Sequence, residues 1–403
     1  MLTKPQIVAP GGSYEKAVVA FKYGADCVYI AGAQFGLRKS ADNFSIDQIK
    51  LLCEFAHKRS KSVYVVLNGF LHNSDLEDLE NYLKDISELP IDALIISDMG
   101  VFKLATSLTS IPIHISTQAS VTNAYTATMW QRLGAKRIVL AREVSLSEAK
   151  IIKDYTGLEL ELFIHGAMCA SYSGKCIISN YTAGRDSNRG GCVQSCRHNF
   201  ELQDNTLPDS SYIMNAKDLM GVSLIESYIK NGIDAVKIEG RMKSPLYVAN
   251  ASAQYRQAID TVYNQINAIP STQKAAYSLS KNQDNLQEVS NRGFSSGGLE
   301  ERPNSNTISS TWNGYKKSVD YIGIIKSSTK PTAPYYFLEV KTPFHHKDPL
   351  WILNQNGESR QLDRCSIHNV DGDPLTHIQA NQVVQLKSNT PLDTHAVIKR
   401  VLS

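Results

Sequence analysis

Long apolar runs are missing from this 403-residue chain; none approaches the ~18 residues that a membrane-spanning helix needs. The opening residues, MLTKPQIVAPGG, put Pro5, Pro10, Gly11 and Gly12 where a secretion signal needs an apolar helix, so the chain reads as cytoplasmic. A strong charge imbalance is also missing. Lys+Arg number 42 and Asp+Glu 39, a net charge of +3 that does not by itself announce a nucleic-acid binder. No H-E-x-x-H occurs, which removes a zincin-type protease site. No G-x-G-x-x-G follows the first candidate strand, which weakens a dinucleotide-binding sheet. Cysteine is scarce, at seven residues, and in a reducing compartment thiols serve metals or redox chemistry rather than a disulfide framework.

What is present is a regular alternation. Over the first 260 residues, short β-rich runs (6–10, 27–32, 62–68, 93–97, 111–117, 137–142, 160–166 and 234–240) alternate with amphipathic stretches such as 13–25, 45–60 and 123–135. Gly24 and Gly134 sit where helix C-caps belong, and Ser or Asn opens several helical stretches. Eight such units predict a TIM-type (β/α)8 barrel over residues 1–264, with a doubly wound open sheet as runner-up. Residues 265–317, rich in Asn, Ser, Gln and Gly, read as a linker with short helices, and 318–403 as a small C-terminal β-barrel domain. Residues 304–403 hold 11 Lys+Arg against 8 Asp+Glu, as a surface meeting an anion would, or as ordinary solvated surface does.

Four of the seven cysteines fall together, as Cys169, Cys176, Cys192 and Cys196, spaced C-x6-C-x15-C-x3-C among glycines and arginines. Thiolates suit an iron–sulfur cluster or zinc. Structural zinc pairs two short knuckles, and this irregular spacing fits a cluster better, although buried cysteines also gather by chance. In a TIM barrel the site lies at the C-terminal strand ends. Polar residues recur there: Arg38, Asn68, Asp98, Gln118, Arg142 with Glu143, His165, and Glu239 with Arg241. Each alone is as readily a helix cap or an ion pair.

Residues 161–179 match E-x-F-x-x-G-[SA]-[LIVM]-C-x4-G-x-C-x-[LIVM]-S at every position, from Glu161 through Cys169 and Cys176 to Ser179. The chain thereby resembles the U32 peptidase (collagenase-like) family. The likeness extends through IVAPGG (7–12), FGLRKSADNF (35–44), TQASVTNA (117–124), RDSNRGGCVQSCR (185–197), KIEGRMKSPLYV (237–248) and RGFSSGGL (292–299). It is strongest toward the TrhP-type branch, which modifies tRNA. The resemblance implies a TIM barrel, a cysteine-bound 4Fe–4S cluster and oxygen-independent hydroxylation of the tRNA wobble uridine to 5-hydroxyuridine, with prephenate as oxygen source. No cysteine lies between residues 197 and 364, so Cys196 is the natural fourth ligand beside Cys169, Cys176 and Cys192. On that reading Arg38, Arg142, Arg185 and Arg241 suit the carboxylates of prephenate, because guanidinium grips carboxylate in a fork. His165, Glu143 or Glu239 would move protons. Asn68, Asp98, Gln118, Tyr172, Asn188 and Arg197 would orient substrate, and Lys316, Lys317, Lys326 and Lys399 would hold the tRNA backbone.

Three rivals stand beside it. One is a U32-type peptidase, for which the chain offers a lone G-x-S-x-G at Gly293–Gly297, outside any strand–turn–helix elbow. The others are a ubiquinone-pathway-type hydroxylase and a non-catalytic RNA-binding adaptor stabilised by a cluster or zinc. An electron donor or partner subunit is left open.

Overall fold

The computed structural model describes residues 2–32, 35–37, 43–201, 211–267, 279–311, 314–328, 335–363 and 365–402. In chain order the first part runs β1 (Gln6–Pro10), α1 (Tyr14–Lys22), β2 (Cys27–Ile30), α2 (Ile46–His57), β3 (Ser62–Leu67), α3 (Leu76–Ser87), β4 (Ala93–Ile96) and α4 (Met99–Leu108). It continues β5 (Ile113–Ile115), α5 (Ala124–Leu133), β6 (Arg137–Val139), α6 (Leu146–Thr156), β7 (Glu159–Gly166), α7 (Ile178–Ala183), β8 (Asp218–Met220), α8 (Ile225–Lys230), β9 (Ala235–Ile238) and α9 (Pro245–Asn267). Seven parallel strands, β1 to β7, pair in sequence order, and β9 pairs with both β7 and β1, closing an eight-stranded barrel. All eight expected strands are present within a few residues of their sequence bounds. β8 is not a barrel stave. It runs antiparallel to the end of β7, with His165 opposite Met220.

The helices begin where side chains can cap them. Ser45 with Gln48, and Ser145 with Glu148, form capping boxes, and Asn123 accepts from the Thr126 backbone. Gly134 ends α5 at φ 106, while α1 ends one residue before Gly24, on Tyr23.

Both faces of the staves are buried, yet their alternation still sorts two environments. Ile7, Ala9, Val28, Ile30, Val63 and Val65 face the helices in one continuous core. Val8, Cys27, Tyr29, Tyr64, Val66, Ala93, Ile95 and Ala235 form a separate small cluster. Arg137, Glu161 and Lys237 are also buried, on β6, β7 and β9. Apolar interior therefore comes mostly from β1 to β4, and charge from the later strands.

Residues 279–311 are more than a connector. Leu286 of α10 (Ser280–Gln287) and, after it, Val289 and Leu299 join the barrel core, and β10 (Phe294–Ser295) pairs with β8. Arg292, buried, reaches Asp218 at 2.7 Å. The polar composition that suggested a linker serves side chain-to-backbone bonds such as Asn291 Nδ2 to Val289 O, at 2.9 Å.

Beyond it lie β11 (Val319–Ser328), β12 (Tyr335–Val340), β13 (Phe344–His345), β14 (Trp351–Leu353), β15 (Ser359–Gln361), β16 (Ser366–His368), β17 (His377–Ile378), β18 (Val383–Lys387) and β19 (Val397–Val401). Seven of them make an antiparallel sheet in the order β15-β14-β19-β11-β12-β18-β16, and β13 pairs with β17. This unit has its own apolar core. It is also welded to the barrel: Val319, Ile324, Leu353 and Val397 belong to the barrel's core. Tyr23 sits in that seam, donating to Leu353 O at 2.7 Å and accepting from Val397 N at 3.2 Å. Tyr23→Phe strands a buried carbonyl and a buried N–H, so a loss of about 1–3 kcal/mol is expected in denaturant unfolding. An unchanged midpoint would show that the seam contributes little.

Candidate functional site

The floor of the site is ionic. Glu161 is 0% exposed, and its carboxylate lies 2.6 Å from Lys237 Nζ and 3.4 Å from Arg137 Nη1. Arg137 continues downward to Glu159 at 2.7 Å and Gln6 at 2.7 Å. Burial alone would push the Glu161 pKa up, but Lys237 and Arg137 hold it below the ordinary carboxylate range. Lys237 Nζ also lies 4.3 Å from the Tyr29 ring centroid, the next layer up. Nearby, burial lowers the His114 pKa to about 3, and the ring packs edge-on to Tyr64 at 4.8 Å.

Above this floor, at the C-terminal ends of the staves, a cavity of about 140 Å³ opens. Its walls come from many strands and strand ends: Tyr29 within β2, Asn68 after β3, Ser116, Thr117 and Gln118 after β5, Arg142 after β6, and Glu239 with Arg241 after β9. Tyr29 donates to Glu239 Oε2 at 3.1 Å. The Arg142 guanidinium lies on the Phe163 ring, 4.1 Å from its centroid. Four buried polar atoms on this wall have no protein partner among the described residues: Asn68 Oδ1, Thr117 Oγ1, Arg142 Nε and Ser187 Oγ. Such atoms cost free energy unless water or a ligand meets them.

The segment after β7 forms the lid of this cavity. It is stitched down by backbone-directed bonds: Asn188 Nδ2 to Cys176 O at 2.9 Å, Phe70 N to Asn188 O at 2.9 Å, and Arg189 Nη1 to Phe70 O at 2.7 Å. Arg189 also pairs with Asp75 at 2.8 Å. Gly174 must be glycine. Its φ is +73, and a Cβ there would lie 2.0 Å from the Gln118 carbonyl oxygen. Gly12 has a similar role below, where a Cβ would lie 1.9 Å from Arg241 O.

All four clustered cysteines line this one cavity. Burial raises the Cys196 thiol pKa, and proximity to Cys169 raises it further. Among the described residues, no three His, Cys, Asp or Glu side chains converge on one ion-sized point. The donor set is nonetheless the soft one that iron–sulfur clusters use, in which each thiolate meets its own iron rather than a shared ion.

The fold thus brings Asn68, Gln118, Arg142, Tyr172, Asn188, Glu239, Arg241 and the four cysteines to one cavity. Other expected residues lie elsewhere. His165 is 1% exposed, packed among Tyr247, Tyr255 and Phe294, and burial pulls its pKa down to about 4; it is no cavity-facing proton carrier. Asp98 caps α4, accepting from Gly100 N at 2.7 Å and Val101 N at 3.0 Å. Glu143 accepts from Ser173 N at 3.0 Å and faces a neighbouring groove of about 1020 Å³. Arg185 is exposed outside the cavity, and Arg197 meets Tyr315 Oη at 3.1 Å. Arg38 lies outside the described residues. Ser295, of the G-x-S-x-G, sits in a two-residue strand and accepts from Gly297 N at 3.3 Å, not in a strand–turn–helix elbow.

Sequence reasoning missed Arg137 and Lys237 of the floor. Their signal was a charged residue inside an otherwise apolar stave, RIV and AVKI. Glu161→Gln should cost about 3–5 kcal/mol, because two buried cations lose their counter-charge. Glu161 is depressed in the fold, so its contribution is complete above the unfolded carboxylate pKa of about 4.3 and is lost as pH falls below it. Unfolding curves across that window should flatten in the variant, and equal acid sensitivity of both proteins would overturn the assignment.

Comparison with known proteins places this architecture. A family model described as Peptidase family U32 matches residues 12–309. Among curated proteins, tRNA hydroxylation protein P1 of Bacillus subtilis is 42% identical over 267 residues, covering 64% of this chain and 63% of that protein. The match thus spans somewhat less than two thirds of that relative's length. The tRNA hydroxylation protein P of Helicobacter pylori is 40% identical over 319 residues, covering 75% of this chain and 73% of its own. A 23S rRNA 5-hydroxycytidine synthase of Escherichia coli is 37% identical over 260 residues, covering 64% of this chain and 39% of its own.

Proposed function

The chain belongs to peptidase family U32, and from that membership we propose that it is an RNA hydroxylase. Its substrate is the wobble uridine of tRNA, which it converts to 5-hydroxyuridine without molecular oxygen, with prephenate supplying the oxygen. The observation that carries this reading is four thiols on the wall of one cavity that also holds four buried polar atoms without a protein partner among the described residues. The relatives named for tRNA and rRNA hydroxylation support it.

Cys169, Cys176, Cys192 and Cys196 would hold a 4Fe–4S cluster, which supplies one-electron chemistry when bound. The chain's own residues do the rest. Arg142, held over the Phe163 ring, and Arg241 meet the carboxylates of the co-substrate. Thr117, Asn68 and Ser187 offer hydrogen bonds to a planar polar ring. The hydrogen-bonded Tyr29–Glu239 pair holds a proton at the cavity wall.

Anaerobic purification tests the reading. Wild type should carry about four irons and about four sulfides per chain, and Cys169→Ser should lose them. With prephenate and a tRNA carrying uridine at the wobble position, wild type should add one oxygen atom to that base, and Arg142→Ala should abolish this while keeping its iron. Intact thiols binding zinc alone, or no metal, would sink the cluster-dependent hydroxylase and return the peptidase and adaptor readings.

A further inference from the structure

The lysines expected to grip an RNA backbone on the C-terminal sheet are mostly engaged. Lys399 is 2% exposed and paired with Glu288. Lys326 is bridged between Glu15 and Glu339, and Lys317 lies 2.7 Å from Asp320. A phosphate there would have to displace carboxylates already in place.

The mouth of the cavity differs. Residues 172–185 present two faces. Inward, Ser173, Gly174, Cys176 and Ile178 line the cavity. Outward, Tyr172 is 56% exposed and Tyr181 85%, and Lys175, Ile177 and Arg185 face solvent beside them. Ile177, the residue before α7, and Tyr181 within it lie four residues apart, one helical turn. Among the described residues neither Lys175 nor Arg185 has an ion-pair partner, and Lys175 Nζ lies 5.8 Å from the Phe70 ring centroid. Exposed aromatic rings beside uncompensated cations are what hold single-stranded nucleic acid, by stacking and by phosphate neutralisation. The other side of the lid is unsuitable. The neighbouring groove shares the Cys169–Tyr172 wall but is lined by Glu143, Glu148, Glu300 and Glu301 against Lys217 and Arg302, an excess of negative charge that repels a polyanion.

We propose that the outer face of residues 172–185 is the RNA-docking platform. A single-stranded loop stacks on Tyr181 and sets its phosphates against Lys175 and Arg185, and one unstacked base passes over Tyr172 into the cavity. This rests on the RNA-hydroxylase reading and adds which surface holds the RNA and in what form.

The test is binding, which needs no turnover. An anticodon-type stem–loop RNA and a fully paired RNA of equal length are titrated onto the anaerobically prepared full chain and its Tyr181→Ala, Arg185→Ala and Lys326→Ala variants. Wild type should prefer the stem–loop. Tyr181→Ala should weaken it roughly ten-fold. Arg185→Ala should lower the slope of log affinity against log salt by about one, and Lys326→Ala should match wild type. Wild-type binding to the stem–loop with Tyr181→Ala and Arg185→Ala unchanged would overturn the platform and leave the hydroxylase standing. Equal affinity for paired RNA would overturn the single-stranded mode. Unchanged RNA affinity with loss of tRNA modification in cells would assign the face to a protein partner instead. Failure of wild type to bind either RNA would sink the hydroxylase reading itself.

Discussion

One carboxylate holds the later half of this barrel together. Glu161 is sealed from water between Lys237 and Arg137, so β6, β7 and β9 each contribute a charge to one buried network. The join between β7 and β9 is where the barrel closes over the excursion that includes β8. A buried ion pair is weak evidence of net stabilisation against an apolar alternative, but its partners cannot be removed singly without stranding a charge. The network therefore fixes register at the closing seam. It also fixes the height of the cavity floor, because Lys237 is both the partner of Glu161 and part of the cavity lining. Everything above it, from Tyr29 and Phe163 to the cysteine-bearing lid, is built on that level.

Much of this was legible in the sequence, and for identifiable reasons. The eight staves announced themselves as short runs of apolar and β-branched residues because both of their faces are buried. The capping signals at Ser45, Asn123 and Ser145 are local chemistry, settled within three residues. The lid was legible because its thiols and glycines share a short stretch. What escaped depends on contacts between distant residues. Lys237 meets Glu161 across 76 positions, and Arg137 meets Gln6 across 131. Lys399 looked like surface charge on an alternating strand, but it is buried and paired with Glu288, the residue after α10. Asp98 and His165 failed as site residues for opposite reasons. One is used by its own helix, and the other is walled in by aromatic rings from α9 and β10.

The C-terminal sheet is an integral part of the fold rather than an appendage. Its strands share apolar contacts with the barrel core, and Tyr23 and Gln254 reach across to the backbones of Leu353 and Gly357. Asn282, in the segment that looks like linker, donates to Gln254 Oε1 at 2.9 Å and so holds the side chain that reaches Gly357. Sheet and barrel should therefore lose structure together, as a single cooperative unit.

The unpartnered atoms on the cavity wall carry a consequence for selectivity. Asn68 Oδ1, Thr117 Oγ1, Ser187 Oγ and Arg142 Nε are fixed by the fold whether or not anything meets them. A guest that satisfies them relieves a standing cost, whereas an isosteric apolar guest seals that cost in. Pockets of this kind reject look-alikes by what the look-alike lacks, and they do so far more sharply than an apolar slot that sorts guests by size.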